Sequence, residues 1–143
     1  VAAVTGHAIA MGAIFNMGID WRIGAKGKFK HGLNEIKDGL ILPIFAIELP
    51  RFRLNPNHYQ EAAFQSKIYE PKEAVKAGFL DDVVDAKDVR EAAYKKAKKL
   101  GALLPNPPYA VSKLRDRQRV KAYVAETLEQ DLDAIRTDAA RFA

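Results

Sequence analysis

Residues 4–13, VTGHAIAMGA, decide how the chain is to be read. An apolar, β-branched run ends at Thr5, a glycine follows at once, and a second apolar run restarts at Ala10. A break and restart of this kind is a strand, a tight turn and a helix. The start of a helix carries unpaired backbone N–H groups and the positive end of the dipole, where an anion or a developing oxyanion is favoured. Gly6 permits the turn, and Ala8, Ala10 and Gly12 keep side chains from blocking approach to the backbone. Alone, a glycine turn before a helix marks a turn and nothing more.

Outward from this stretch, Val1–Thr5 is a buried strand and Ala10–Gly18 a short buried helix. Asp20–Gly24 is expected to be a second strand, Ala25–Lys30 a glycine- and lysine-rich turn, and His31–Gly39 an irregular surface or site loop. Leu40–Leu54 is apolar, with Pro43 at a helix start and Pro50 as a kink. Asn55-Pro56-Asn57 breaks the chain before a helix at Tyr59–Gln65. Pro71–Gly78 is a helix with Pro in its first turn and Gly at its end, and Phe79–Val84 a strand. Ala86–Leu100 has helical spacing of Val89, Ala92, Ala93, Ala97 and Leu100. After a linker at Leu104–Pro108, apolar residues recur every three or four positions at Val120, Val124, Leu128, Leu132, Ile135, Ala139 and Phe142, an amphipathic stripe. Strands alternating with helices and then helices alone indicate an α/β core with a helical tail. Two or three strands do not make a stable parallel sheet by themselves, so further strands are expected from additional sequence or a partner.

The 143 residues suffice for one domain with a core, and 48% hydrophobic with 29% charged residues is ordinary globular composition. With no cysteine there is neither a disulfide scaffold nor Cys-ligated zinc, which fits a reducing, cytoplasmic compartment. No apolar run reaches membrane-spanning length, and no membrane partner is expected. The net charge of +5 suits an anionic partner but specifies none. The chain opens at Val1 directly into a strand, without an initiator Met or signal-like segment, as the interior of a longer chain would.

His7, beside the turn, could polarise a carbonyl or act as an acid, but a packed histidine with one hydrogen bond is the ordinary case. His58 is expected to be a surface or cap residue. The three histidines lack metal-ligand spacing with carboxylates, so no metal is expected. Asp20 reads as a turn or cap residue, and Glu48 and Glu61 as solvated or ion-paired helix residues. Ser66 and Ser112 are the only serines, and neither lies in a nucleophile elbow. Two basic runs, Lys95, Lys96, Lys98, Lys99 and then Lys113, Arg115, Arg117, Arg119, Lys121, read as solvated faces. Without aromatic-interleaved basic motifs, nucleic acid is not expected as a partner.

Three stretches together carry a family resemblance. VAAVTGHAIAMGAIFNMGIDWRIGA resembles the signature segment of the crotonase superfamily, the enoyl-CoA hydratases and isomerases. KFKHGLNEIKDGLILP resembles the segment that follows it, and IYEPKEAVKAGFLDDVV a later block. They occur in the family's order and cover most of residues 1–84. The resemblance implies an α/β fold of the crotonase-like ββα spiral type, its N-terminal strands outside this chain, with residues 1–84 in the core. Residues 85–143 would be a helical tail serving as CoA-pocket lid and oligomerisation region. It implies an acyl-CoA thioester substrate, no cofactor beyond the coenzyme A of that substrate, and a homotrimer or dimer of trimers. An N-terminal portion would supply more strands, the adenine pocket and one oxyanion donor.

In the resemblance, the backbone N–H of Met11 is an oxyanion donor, at a position where the family usually has Gly. Family hydratases use two glutamates. Their positions here hold Ile14, which cannot carry a proton, and Glu35. A single glutamate resembles the Δ3-Δ2-enoyl-CoA isomerases, as does GLNE itself, so Glu35 is the expected proton shuttle between C2 and C4. Ala10, Gly12, Ile14, His31 and Leu33 are the expected substrate-binding residues. A hydratase (a lyase), or a non-catalytic acyl-CoA-binding subunit with Met11 and Ile14 as marks of a drifted site, are the alternatives.

Overall fold

The computed structural model describes residues 1–141, with side chains of the last helix described as far as Thr137. Strand β1 (Ala2–Val4) is followed by β2 (Ala8–Ile9), α1 (Met11–Met17), β3 (Arg22–Ala25) and β4 (His31–Gly32). Then come α2 (Ile44–Arg53), α3 (Pro56–Ala63), α4 (Pro71–Ala77), β5 (Asp82–Val84), α5 (Val89–Leu103), α6 (Pro108–Glu126) and α7 (Leu128–Arg141). Strands β1, β3 and β5 form one parallel sheet with β3 central, and β2 and β4 form a second parallel pair. All strand pairs are joined through crossovers, as parallel pairing requires.

Two strands were not legible in the sequence. Residues His31–Gly32, expected in an irregular loop, pair with Ala8–Ile9, within the turn expected before the helix. Two-residue strands are too short for alternation to show. The expected strand at Asp20–Gly24 begins instead at Arg22, and that at Phe79–Val84 at Asp82, because Phe79 and Leu80 turn into the core.

Helices α1 to α4, through small and apolar buried residues, build the core. Ala13, Ile14 and Met17 of α1 pack with Ala46 of α2, Ala62 and Ala63 of α3, and Ala74 and Ala77 of α4, all buried. Helix α5 packs on β1 and β3 and buries Val89 and Ala93. Helix α4 ends as its sequence demands. Gly78 adopts φ +96, its N–H donates to the carbonyls of Ala74 and Val75, and a Cβ there would meet the Arg53 carbonyl oxygen at 3.0 Å. Gly24 lets β3 lie against Leu80, whose Cδ1 would be 2.4 Å from an added Cβ.

The tail stripe is broken at Thr127 into α6 and α7. Both helices pack on α2. Val120, Val124 and Leu128 face Leu49 and Phe52 across an open apolar cleft of about 720 Å³. Phe142 of the stripe lies outside the described residues, and so does the side chain of Ala139. Among the described residues no helix is long and apolar enough to cross a membrane.

Helix α2 begins after Pro43, which has no side-chain cap to offer. The cap comes from 87 residues later: the buried carboxylate of Asp131 accepts from the N–H of Ile44 at 2.5 Å and of Phe45 at 3.2 Å. A carboxylate at a helix N-terminus satisfies orphan donors and complements the dipole. Asp131→Ala is therefore expected to lower stability by about 2 kcal/mol. It should also speed amide hydrogen exchange at Ile44 and Phe45 specifically. Unchanged exchange at these two amides would show that α7 does not cap α2 in solution.

Candidate functional site

The decisive turn is strained. Ala10, the residue before α1, adopts φ 53 and ψ −125, a conformation that suits glycine. Hydrogen bonds on both sides hold it there: its N–H donates to the Gly32 carbonyl at 3.0 Å, and its own carbonyl accepts from Ala13 and Ile14 at 2.9 and 3.1 Å. Relief of this strain predicts that Ala10→Gly raises stability by about 1 kcal/mol, the strain of 1–3 kcal/mol being partly offset by glycine's greater freedom when unfolded. A lower denaturant midpoint for the variant would remove the strain account. The helix makes no use of the Met11 and Gly12 N–H groups, which open its first turn. Both residues are exposed.

The β2–β4 ladder brings the second half of the site alongside. Ala8 N–H donates to the Lys30 carbonyl, and Ala8 and Ile9 stand opposite His31 and Gly32. With Ala10 bonded to Gly32, the chain leaves the ladder at one end toward Met11 on one strand and toward Leu33, Asn34 and Glu35 on the other. Met11 and Glu35, 24 residues apart in sequence, thus lie on segments that leave the ladder at the same end. On its far side, His31 exchanges backbone hydrogen bonds with Tyr69, at 3.0 and 2.8 Å.

Glu35 is the buried carboxyl of this region, 9% exposed. Burial pushes its pKa above the ordinary carboxylate range, the N–H groups of Glu35 and Asn34 oppose that rise, and the Asp38 charge adds to it. Three neighbouring buried polar atoms have no protein partner among the described residues: His31 Nε2, Asn34 Oδ1 and Glu35 Oε2. Burial first, and the charge of His7 second, push the His31 pKa down to about 4, so its ring is neutral at physiological pH. Buried polar atoms lacking protein partners are where a bound molecule can complete the hydrogen bonding. A general base with a raised pKa, beside unused backbone donors, can move a proton while an adjacent oxyanion is stabilised.

The other expected binding residues divide in two. Ala10 and Gly12 stand at the turn with Met11, half-buried and exposed respectively. Ile14 and Leu33 are in the hydrophobic core cluster, 4% and 1% exposed. His7 makes the single hydrogen bond expected of a packed histidine: its Nδ1 accepts from the Lys30 N–H at 3.1 Å, and its ring meets Phe29 edge-on at 5.6 Å. Glu48 pairs with Arg51 at 2.6 Å. Glu61 gathers Lys67 Nζ, the Tyr69 hydroxyl and His58 Nδ1. These hydrogen bonds, Lys67 first, hold its pKa down to about 2, so it remains ionised and is no proton shuttle. Asp20 pairs with Lys113 and Arg117 of α6 at 2.6 and 2.5 Å, so part of the second basic run docks the tail. Lys96 of the first run lies 3.5 Å over the Trp21 ring. Asn34 and Asp38 were missed in the sequence. Their spacing of four was the available signal, because it is the spacing of two side chains that meet across one turn.

A model of the enoyl-CoA hydratase/isomerase family matches residues 1–139. The chain belongs to that family. It is 31% identical over 112 residues to a probable enoyl-CoA hydratase, EchA17, of Mycobacterium tuberculosis, covering 78% of this chain and 41% of that protein. An enoyl-CoA hydratase/isomerase family protein from Pseudomonas syringae superposes with a TM-score of 0.84 at 33% identity, covering 88% of this chain and 54% of that one. An enoyl-CoA isomerase of M. tuberculosis superposes with a TM-score of 0.76 at 33% identity, covering 96% and 57%. The chain thus spans about half the length of these family members. The spiral α/β fold expected from the resemblance is the fold observed, with a short partial sheet and a helical tail.

Proposed function

We propose that this family member moves the double bond of a 3-enoyl-CoA into conjugation, giving the 2-enoyl-CoA. The Glu35 carboxylate takes a proton from C2. The C2–H electron pair becomes the C2–C3 double bond through the thioester dienolate, and protonated Glu35 returns the proton at C4 as the C3–C4 double bond is lost. The Met11 N–H is one donor to the dienolate oxygen, where charge develops. Glu35 carries this reading: it is a buried carboxyl with an unpartnered oxygen, on the segment that follows β4, as α1 with its free N–H groups follows the paired strand β2. A shuttle that both takes and gives a proton works best with a pKa nearer to neutrality than an exposed carboxylate has.

A hydratase is the second reading, favoured by the name of the M. tuberculosis relative EchA17. Against it stands Ile14, an apolar side chain packed into the core where a second carboxylate would have to be. The test follows both reactions in the intact protein, with a 3-enoyl-CoA and a 2-enoyl-CoA as separate substrates. Formation of the conjugated product without hydration supports the isomerase. Hydration as the faster reaction assigns the hydratase, and turnover of neither with retained acyl-CoA binding assigns a binding subunit.

A further inference from the structure

We propose that Asp38, held by the Asn34 carboxamide, is a positioning residue for Glu35: it fixes the turn that carries the buried carboxyl and stands on that same turn as its neighbouring charge. The role in turnover rests on the isomerase reading, while the coupling between the two carboxyls does not.

The turn ties these residues together twice. Asn34 Nδ2 donates to Asp38 Oδ2, and the Asp38 N–H donates to the carbonyls of Asn34 and Glu35, both at 3.1 Å. The Leu40 N–H closes the turn on the Glu35 carbonyl at 2.8 Å, with Gly39 at φ +79 allowing the reversal. The turn is fastened below by the Lys37 N–H, which donates to the buried Ser66 hydroxyl at 3.1 Å. The result places one carboxyl inside and one outside: Glu35 is buried, Asp38 exposed. The Asn34 carboxamide lies between these roles, its Nδ2 spent on Asp38 and its Oδ1 buried without a protein partner.

Asp38 is the charged side chain whose field acts on Glu35, and a like charge favours the protonated form. Lys37, on the same turn, gives its backbone N–H to Ser66. His31, on the adjacent strand, is neutral near pH 7. Asp38 reaches Glu35 partly through solvent, so its influence is modest and falls as salt is added.

The measurement is a carbon NMR titration of the Glu35 side-chain carboxyl in the intact protein, its signal assigned by its loss in Glu35→Gln. Removing the Asp38 charge removes a repulsion that resists ionisation, so in Asp38→Asn the Glu35 midpoint should fall by about 0.5 pH unit. Asp38→Glu, which keeps the charge, should hold the wild-type midpoint. In the wild type, raising salt to about 0.5 M should itself lower the midpoint, a readout that depends on no variant's folding. A midpoint that ignores both the Asn substitution and salt overturns the proposal. Where the midpoint moves and a 3-enoyl-CoA is turned over, the acid limb of kcat/KM should move with it. A moving midpoint without turnover of any enoyl-CoA sustains the coupling and sinks the isomerase reading instead.

Discussion

Glu35→Gln is expected to lower kcat for the double-bond shift by about 10²–10⁴-fold, with KM little changed. Gln keeps the size and polarity of the side chain and removes the proton shuttle. The turn does not depend on the carboxylate, since it is the Glu35 carbonyl that accepts from Asp38 and Leu40. Binding should survive for the same reason. Burial raises the Glu35 pKa from 4.5, so the base form is lost, and kcat/KM falls, at a pH above that of an exposed glutamate. The stability consequence has a definite sign. A carboxyl whose pKa is raised by folding contributes stability that is full below its unfolded pKa and lost as pH rises through its folded pKa. Above its folded pKa ionised Glu35 works against the fold, and there Gln, which never ionises, should unfold at an equal or higher denaturant midpoint. Lost activity with retained or raised stability marks a group kept for chemistry. A variant that keeps more than about a tenth of the wild-type rate would show that the proton travels by another route.

The fold was legible where local pattern and tertiary structure agree. Met11–Met17, Pro71–Ala77 and β1 lie within a residue or two of where apolar spacing, Pro and Gly put them. It was illegible where an element exists only through pairing. Neither Ala8–Ile9 nor His31–Gly32 has any strand signal of its own, yet their ladder is what sends the segments carrying Met11 and Glu35 out of the same end. The same holds for the α2 cap, which Pro43 could not announce and Asp131 supplies from α7. In the candidate site, GLNE pointed to Glu35 through likeness to a family, and its environment could not be read: burial, the orphaned Oε2 and the nearby Asp38 charge are products of the packed turn. The strain at Ala10 was equally hidden, because a small residue in a turn does not show its φ. Glu61 shows the reverse case, a carboxylate read from the sequence as solvated or ion-paired, which three hydrogen-bonding neighbours keep ionised.

Asp81→Ala is expected to lower stability by about 3–5 kcal/mol, the largest effect of any substitution outside the candidate site. Arg22 opens the central strand β3 and is 2% exposed, so its guanidinium is held away from water. Asp81 answers it with three contacts: Oδ2 accepts from Arg22 Nε and from its backbone N–H, both at 2.8 Å, and Oδ1 accepts from Nη2 at 3.0 Å. The Asp81 N–H returns a bond to the Arg22 carbonyl at 2.9 Å. The pair therefore joins β3 to the start of β5 as well as neutralising a charge. Its removal would be felt by a second cation. Burial and then the Arg22 charge disfavour protonated Arg53, whereas Asp81 favours it. Without Asp81 the buried Arg22 and half-buried Arg53 charges act on each other with less compensation. Asp81→Asn keeps acceptors but loses the charge, and should cost roughly 1–3 kcal/mol. Arg22→Met removes the buried charge while keeping an apolar stem, so the double variant Arg22→Met, Asp81→Ala should recover part of the loss. Denaturant unfolding of the four proteins forms a cycle whose coupling term measures the pair. Additive losses would mean that the two side chains contribute independently, and that a charge buried at the head of β3 is tolerated without its partner.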